Sequence, residues 1–162
     1  MKYYLKQKKF TFKDKFTVKD EAGNDLFQVQ GKVFSMKNKI DLMNMDGSTV
    51  LSAEKKMWSF MSAYFILSPH NEQIALVKRK FGFKPNFSIT MGNEELTVSG
   101  SIFGHQFVIK DGDKELVRIS KKIISWGDAY EVDIEDDRNK ELLLFVVIVI
   151  DQVIEEAKRR NN

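Results

Sequence analysis

The sequence lacks cysteine and contains only two histidines and two prolines among its 162 residues. Without cysteine the chain has no disulfide framework, thiolate zinc site or cysteine nucleophile, and it suits a reducing compartment. Hydrophobic residues make up 43% and charged residues 30% of the chain, which excludes extensive disorder. A net charge of +3 is too small to indicate a nucleic-acid partner, and we expect none.

Long hydrophobic runs are also missing. The longest, Leu142 to Ile150, would measure about 14 Å as a helix. A bilayer core is about 30 Å thick, and Asp151 ends the run, so we predict no transmembrane span. The first residues, MKYYLKQKKF, do not resemble a signal peptide. We therefore expect a cytoplasmic protein, with peripheral attachment to a membrane left open.

Catalytic and metal-binding motifs are scarce. The G-x-S-x-G, P-loop and G-x-G-x-x-G motifs are absent. Ser52 to Lys55 matches S-x-x-K without the elements that accompany it in enzymes, and we interpret the match as chance. A metal site built on His70 and His105 would need ligands that the pattern does not offer. We expect both histidines at the surface, and we predict no enzyme activity, no metal site and no cofactor.

Three carboxylates alternate along one predicted strand, namely Glu131, Asp133 and Glu135. General acid–base catalysis needs two dissimilar groups in a pocket. Carboxylates at period two share one face of a strand, so we expect these three on a solvated outer face.

An internal duplication is predicted from matched segments in one order. FTFKDKFTV from Phe10 resembles FGFKPNFSI from Phe81 at an offset of 71 residues. Later matches, beginning with FQVQGKVF from Phe27 and LTVSGSIF from Leu96, have smaller offsets, as loop deletions would produce. We predict one domain, residues 1–162, with repeat halves 1–69 and 72–134.

Both halves have the alternation of half-buried β-strands, separated by turn signals such as Asp46-Gly47 and Asp111-Gly112. The predicted strands are 2–6, 16–20, 26–31, 39–45, 49–56, 63–68, 74–81, 87–91, 95–100, 106–111, 115–120 and 130–134.

The C-terminal segment is predicted to be a helix over about 138–158. Acidic residues precede it at 135–137 and basic residues end it at 158–160, which complements a helix dipole. The β-branched run Val146 to Ile150 favours a strand, but some 20 residues without a turn signal exceed a typical strand length.

A helix that is apolar on all sides must be buried on all sides. A closed barrel of twelve strands has a lumen wider than its own side chains fill, and a helix about 10 Å across fits it. The predicted fold is therefore mainly β: a twelve-stranded closed antiparallel β-barrel, built from two repeated halves and plugged by a C-terminal hydrophobic α-helix.

Three features carry a family resemblance: YLKQK from Tyr4, FGFKPNF from Phe81 and the closing apolar helix. Together they resemble the LURP-one-related family of the tubby C-terminal-like superfamily. The resemblance implies a twelve-stranded closed barrel threaded by its last helix. It implies less about function, since the superfamily includes tubby-like domains that bind phosphoinositide head groups and scramblases that act at membranes.

One basic cluster is interleaved with aromatic residues. Lys78, Arg79, Lys80 and Lys84 surround a Phe-Gly-Phe segment and match a second cluster, residues 6–13, in the first half. Such a pattern suits anionic head groups, although the phenylalanines would equally fit a core with the cations in water.

We expect a non-catalytic β-barrel module that binds or scaffolds, with a protein or an anionic lipid head group as partner. The alternative is peripheral binding of anionic phospholipid or phosphoinositide head groups through the four cations of this cluster.

Overall fold

The computed structural model describes residues 1–6, 15–32 and 38–160. These ranges contain twelve strands and one helix. The elements are β1 (Lys2–Lys6), β2 (Lys15–Lys19), β3 (Asp25–Lys32), β4 (Lys39–Asn44), β5 (Thr49–Lys55), β6 (Ala63–Leu67), β7 (Gln73–Lys80), β8 (Asn86–Met91), β9 (Glu94–Ser101), β10 (Gln106–Asp111), β11 (Lys114–Ile124), β12 (Gly127–Ile134) and α1 (Lys140–Arg160). Predictions for Lys8, Lys9, Phe10, Phe12, Lys13, Val33 and Phe34 lie outside the described residues.

The strands form a closed antiparallel barrel, as predicted. Each strand pairs with its neighbours in the chain, and β1 closes the barrel against β12. Tyr3 lies opposite Val132 and Leu5 opposite Tyr130 across this seam. Closure leaves no unpaired sheet edge. The predicted halves each span six strands, and the duplication stays a prediction.

The hairpin of β11 and β12 is longer than predicted. The alternation indicated strands 115–120 and 130–134, whereas the ladder continues through Lys121 opposite Tyr130 to Ile124 opposite Gly127. Residues 121–123 are all exposed, so neither face is buried and no period-two pattern arises there.

Helix α1 fills the lumen. Residues 143–150 are all buried, so every side of the helix in this stretch contacts barrel strands. Tertiary packing thus overrides the strand propensity of the β-branched residues, since the barrel is the apolar environment that such a helix needs.

The barrel has two ends, which we name by the helix. The proximal end is where α1 begins after β12, and its turns are 20–24, 45–48, 68–72, 92–93, 112–113 and 135–139. The distal end is where α1 finishes, and its described connections include 56–62, 81–85 and 102–105. The tip of the β11–β12 hairpin, residues 125–126, instead lies beside the proximal turn 20–24, where Trp126 packs against Gly23.

Candidate binding surface at the distal end of the barrel

The exposed aromatic side chains of the described chain all lie at the distal end. In loops 56–62 and 81–85, Trp58 and Phe83 are fully exposed, while Phe60 is 88% and Phe81 83% exposed. Phe103, in the 102–105 connection, is a fifth. Single exposed apolar residues are ordinary, but a group of large aromatics in adjoining loops marks an interaction surface.

The two aromatic loops are held together. Pairing of β6 with β7 brings them side by side, and the amide of Arg79 donates a hydrogen bond of 2.9 Å to the carbonyl of Ser62. The rings of Phe60 and Phe81 lie 6.2 Å apart between centroids. Trp58 has φ 60°, a left-handed conformation uncommon for a bulky residue, so the loop presents this side chain in a specific backbone geometry.

The structure brings together three of the four cations predicted from the sequence. Lys78 and Lys80 are exposed on the outer face of β7, and Lys84 is exposed in loop 81–85. Arg79 is half-buried and has the strand parity of Val77, which faces the lumen. Lys78, Lys80 and Lys84 therefore surround the aromatic loops, whereas Arg79 is on the opposite side of the strand.

Charge is distributed unequally between the two ends. The six proximal turns contain eight carboxylates, from Asp20 to Asp137, and a single cation, Arg138. The distal connections that the structure describes contain Lys56 and Lys84 and no carboxylate. Lys158 and Arg160 add positive charge where α1 finishes. Among the described turns and connections, negative charge is thus concentrated at the proximal end and positive charge at the aromatic end.

Glu156 fastens the distal half of α1 to the barrel wall. Its Oε1 accepts a 2.6 Å hydrogen bond from the hydroxyl of Tyr64, and its Oε2 accepts one of 3.1 Å from Nζ of Lys55. Burial, reinforced by the nearby carboxylate, raises the pKa of Tyr64 far above its ordinary value. Tyr64 therefore keeps its hydroxyl proton at every physiological pH and can donate a hydrogen bond to Glu156.

His105 is buried, contrary to the prediction of a surface histidine. It is 7% exposed, its Nε2 lies 2.5 Å from Oδ1 of Asp151, and its ring stacks on Tyr130 at 4.2 Å. Turn 102–105 folds over the barrel mouth onto α1, a contact that spans 46 residues of sequence and leaves no local signal. His70 is exposed in turn 68–72, as expected.

Glu131 also departs from its prediction, because it is buried on the outer side of the sheet. The hydroxyl of Tyr4 donates a 2.7 Å hydrogen bond to its Oε2, and Lys2 and Lys122 lie within 4 Å of Oε1. Burial and this hydrogen bond raise the pKa of Tyr4. Tyr4 packs edge-on against Trp126, and this cover excludes water from a face expected to be solvated. Asp133 is half-buried and Glu135 exposed.

The described ranges contain neither a cluster of metal ligands nor a membrane-spanning helix. No group of three or more His, Asp or Glu side chains there could hold a metal ion. Among the same residues, no helix has the length and apolarity needed to cross a membrane.

Comparison with known proteins places the chain in a family. A family model described as LURP-one-related matches residues 1–151. The uncharacterized protein YxjI of Bacillus subtilis (strain 168) is 32% identical over 152 residues, covering 93% of this chain and 92% of that protein. An X-ray structure of an Arabidopsis thaliana protein is similar with a TM-score of 0.64 at 18% identity, covering 94% of this chain and 90% of that one, which supports the fold alone. The chain therefore belongs to the LURP-one-related family.

Proposed function

We propose that this protein is a non-catalytic binding module that attaches peripherally to anionic membrane surfaces through the distal end of its barrel. One observation carries the proposal: the exposed aromatics of the described chain lie at the end whose described connections contain lysines and no carboxylate. Apolar rings flanked by lysines suit the boundary between head groups and acyl chains, because the rings can contact the acyl chains while the lysines contact the anionic head groups.

The non-catalytic part of the proposal rests on how the polar groups are used. The carboxylates of the buried Glu131 and the half-buried Glu156 are both engaged by tyrosine hydroxyls and lysines, and His105 is engaged by Asp151. Groups fully occupied by one another stabilise the fold and do not offer an acid–base pair to a substrate. The proposal includes a cytoplasmic location, supported by the lack of cysteine and by the anionic character of the cytoplasmic leaflet.

The expected strength follows from the charges. Each Lys or Arg near an anionic surface contributes about 1 kcal/mol. Lys78, Lys80 and Lys84 would then contribute about 3 kcal/mol, roughly a hundredfold in partitioning. Arg79 contributes less, because it has the parity of the lumen-facing residues.

Vesicle co-sedimentation tests the proposal. We expect the protein to pellet with phosphatidylserine-containing vesicles, to remain in solution with pure phosphatidylcholine, and to be released as salt rises. The variant Lys78→Gln, Lys80→Gln, Lys84→Gln should lose most of this binding. A matched variant with the same charge change at the proximal end, Lys110→Gln, Lys114→Gln, Lys140→Gln, should retain it.

Equal pelleting with anionic and zwitterionic vesicles would contradict the proposal. Equal losses in the two triple variants would contradict the assignment to the distal end, because the net charges of the two variants are the same. Circular dichroism of both variants should match the parent, since all six lysines lie on the surface or at element ends.

A further inference from the structure

We infer that the distal loops do not merely rest on the head groups but insert an aromatic wedge into the bilayer interface. The aromatic wedge is defined as Trp58, Phe60, Phe81 and Phe83. The inference rests on the proposed function and deepens it, because it names the apolar part of the membrane as a second binding partner and sets the orientation of the barrel.

The wedge has a geometry suited to insertion. Its two loops adjoin through Phe60 and Phe81, whose rings are 6.2 Å apart, while the fully exposed Trp58 and Phe83 occupy their tips. The backbone hydrogen bond from Arg79 to Ser62 ties one loop to the strand that leads into the other. The four rings are therefore presented together by two connected loops. Such a group suits the membrane–water interface, where tryptophan side chains are enriched.

The charges around the wedge point to a lipid occupant. Lys56 begins the first loop, Lys84 lies in the second, and Lys78 and Lys80 lie on the strand between them. Cations at these positions reach the phosphates of the head groups while the rings sit deeper, since lysine stems extend along apolar surfaces. A second copy of the chain fits the wedge less well. Its distal end is also positive and would be repelled, and its proximal end exposes only Met1 and Met45 as large apolar side chains among the described residues.

This orientation keeps the acidic turn before α1 away from the anionic membrane surface. Helix α1 has 21 residues, so it separates the acidic turn 135–139, where it begins, from the distal end by about 30 Å. This distance exceeds the Debye length of about 8 Å at physiological ionic strength. With the wedge inserted, the barrel stands on its distal end and the carboxylates of turn 135–139 lie on the side facing solvent.

The chain supplies its own reporter. It contains two tryptophans, of which Trp58 is fully exposed and Trp126 packs against Tyr4 with its Nε1 buried. In a Trp126→Phe background, the fluorescence therefore comes from Trp58 alone. Vesicles of phosphatidylcholine and phosphatidylserine are added, with or without bromine on the acyl chains, and pelleting is measured on the same samples.

We expect Trp58 emission to shift to shorter wavelength on binding and to be quenched by the brominated chains. In the same background, Phe60→Ser, Phe81→Ser, Phe83→Ser should weaken binding by about tenfold or more, and the remaining binding should be fully reversed by salt. The matched control, Met45→Ser at the proximal end, should leave binding and quenching unchanged.

These measurements distinguish insertion of the aromatic wedge from the proposed binding to anionic membranes. Pelleting without a shift or quenching of Trp58 overturns insertion and leaves the proposed function standing. A lack of pelleting with anionic vesicles rejects the proposed function, and insertion with it. A blue shift that grows with protein concentration in the absence of vesicles assigns the wedge to self-association and also overturns insertion.

Discussion

Nε2 of His105 lies 2.5 Å from Oδ1 of Asp151, and this contact joins the 102–105 turn to the distal half of helix α1. The histidine side chain is almost fully buried, whereas that of Asp151 is one-third exposed. Stacking of the imidazole on Tyr130 holds the ring in place. Side-chain contacts of this kind attach the distal half of the helix to the barrel. The proximal half is attached through the backbone, because only residues 135–139 separate α1 from β12.

A double-mutant cycle on this pair should reveal coupling. We expect His105→Ala, Asp151→Ala and the double variant to give a coupling free energy of about 1 to 2 kcal/mol in urea unfolding, because the contact is largely desolvated. The control cycle uses Glu155 and Lys158, a pair of opposite charges 3.2 Å apart near the surface of the same helix. That pair should couple by about 0.5 kcal/mol or less. Equal coupling in both cycles would contradict a structural role for His105.

Replacement of the buried Gln152 by an apolar residue should stabilise the folded protein. Gln152 is 0% exposed, and neither its amide oxygen nor its amide nitrogen has a hydrogen-bond partner among the residues that the structure describes. An unsatisfied buried amide costs about 1 to 3 kcal/mol. Gln152→Leu should therefore raise the free energy of unfolding by a comparable amount, whereas Gln152→Glu should lower it by burying a charge. A loss of stability in Gln152→Leu would show that the amide has a partner in solution.

A charge in the middle of the apolar run should prevent folding. Val147 is buried inside the barrel, and an uncompensated buried carboxylate costs several kcal/mol against a typical total stability of about 5 to 15 kcal/mol. We expect Val147→Asp to show no cooperative thermal transition. Val147→Thr, which has nearly the same shape, should fold and lose only about 1 to 3 kcal/mol. A normal melting curve for Val147→Asp would contradict the enclosure of α1.

Asp136, in the turn before α1, should make stability depend on pH. The amide of Arg138 donates a 3.0 Å hydrogen bond to its carboxylate, and this bond lowers the pKa of Asp136 below its ordinary value of 3.8. A carboxyl whose pKa is lowered in the folded state stabilises the protein above its ordinary pKa, and this contribution is lost as the pH falls through the folded value.

Asp136→Ala should therefore lower the melting temperature at neutral pH, and the difference from the parent should shrink below about pH 4. Asp137→Ala, at the exposed neighbouring position, serves as the control and should change the melting temperature little. A deficit in Asp136→Ala that stays constant down to pH 2 would contradict the role of the ionised carboxylate.

Most of the fold could be predicted from the sequence. Alternation located the strands within a few residues, because strands such as β8 and β9 bury one face in the barrel interior. The exception, residues 121–124, lies in a part of the β11–β12 hairpin that buries neither face. The helix was predicted because a long apolar segment without turn residues is incompatible with one ordinary strand.

The candidate site was predicted only in part. Lys78, Lys80 and Lys84 could be found because they lie close together in one short segment of sequence, residues 78–84. The alternative that their neighbouring phenylalanines face the core is wrong for Phe81 and Phe83, which are exposed, and this could not be known from spacing alone. The contribution of Trp58 was missed, because no local pattern links it to a segment some 20 residues further along the chain.

The amino-acid sequence alone determined the barrel strands, through their alternation of apolar and polar residues, and the enclosed helix, through the apolar C-terminal segment. Both follow because the order of residues along an element decides which of its faces is buried. Only the folded barrel brought Phe60 beside Phe81, His105 against Asp151 and Tyr4 over Glu131. These contacts depend on strand register and on how loops fold at one end of the barrel. Both are set by packing between distant segments, which leaves no trace in local composition.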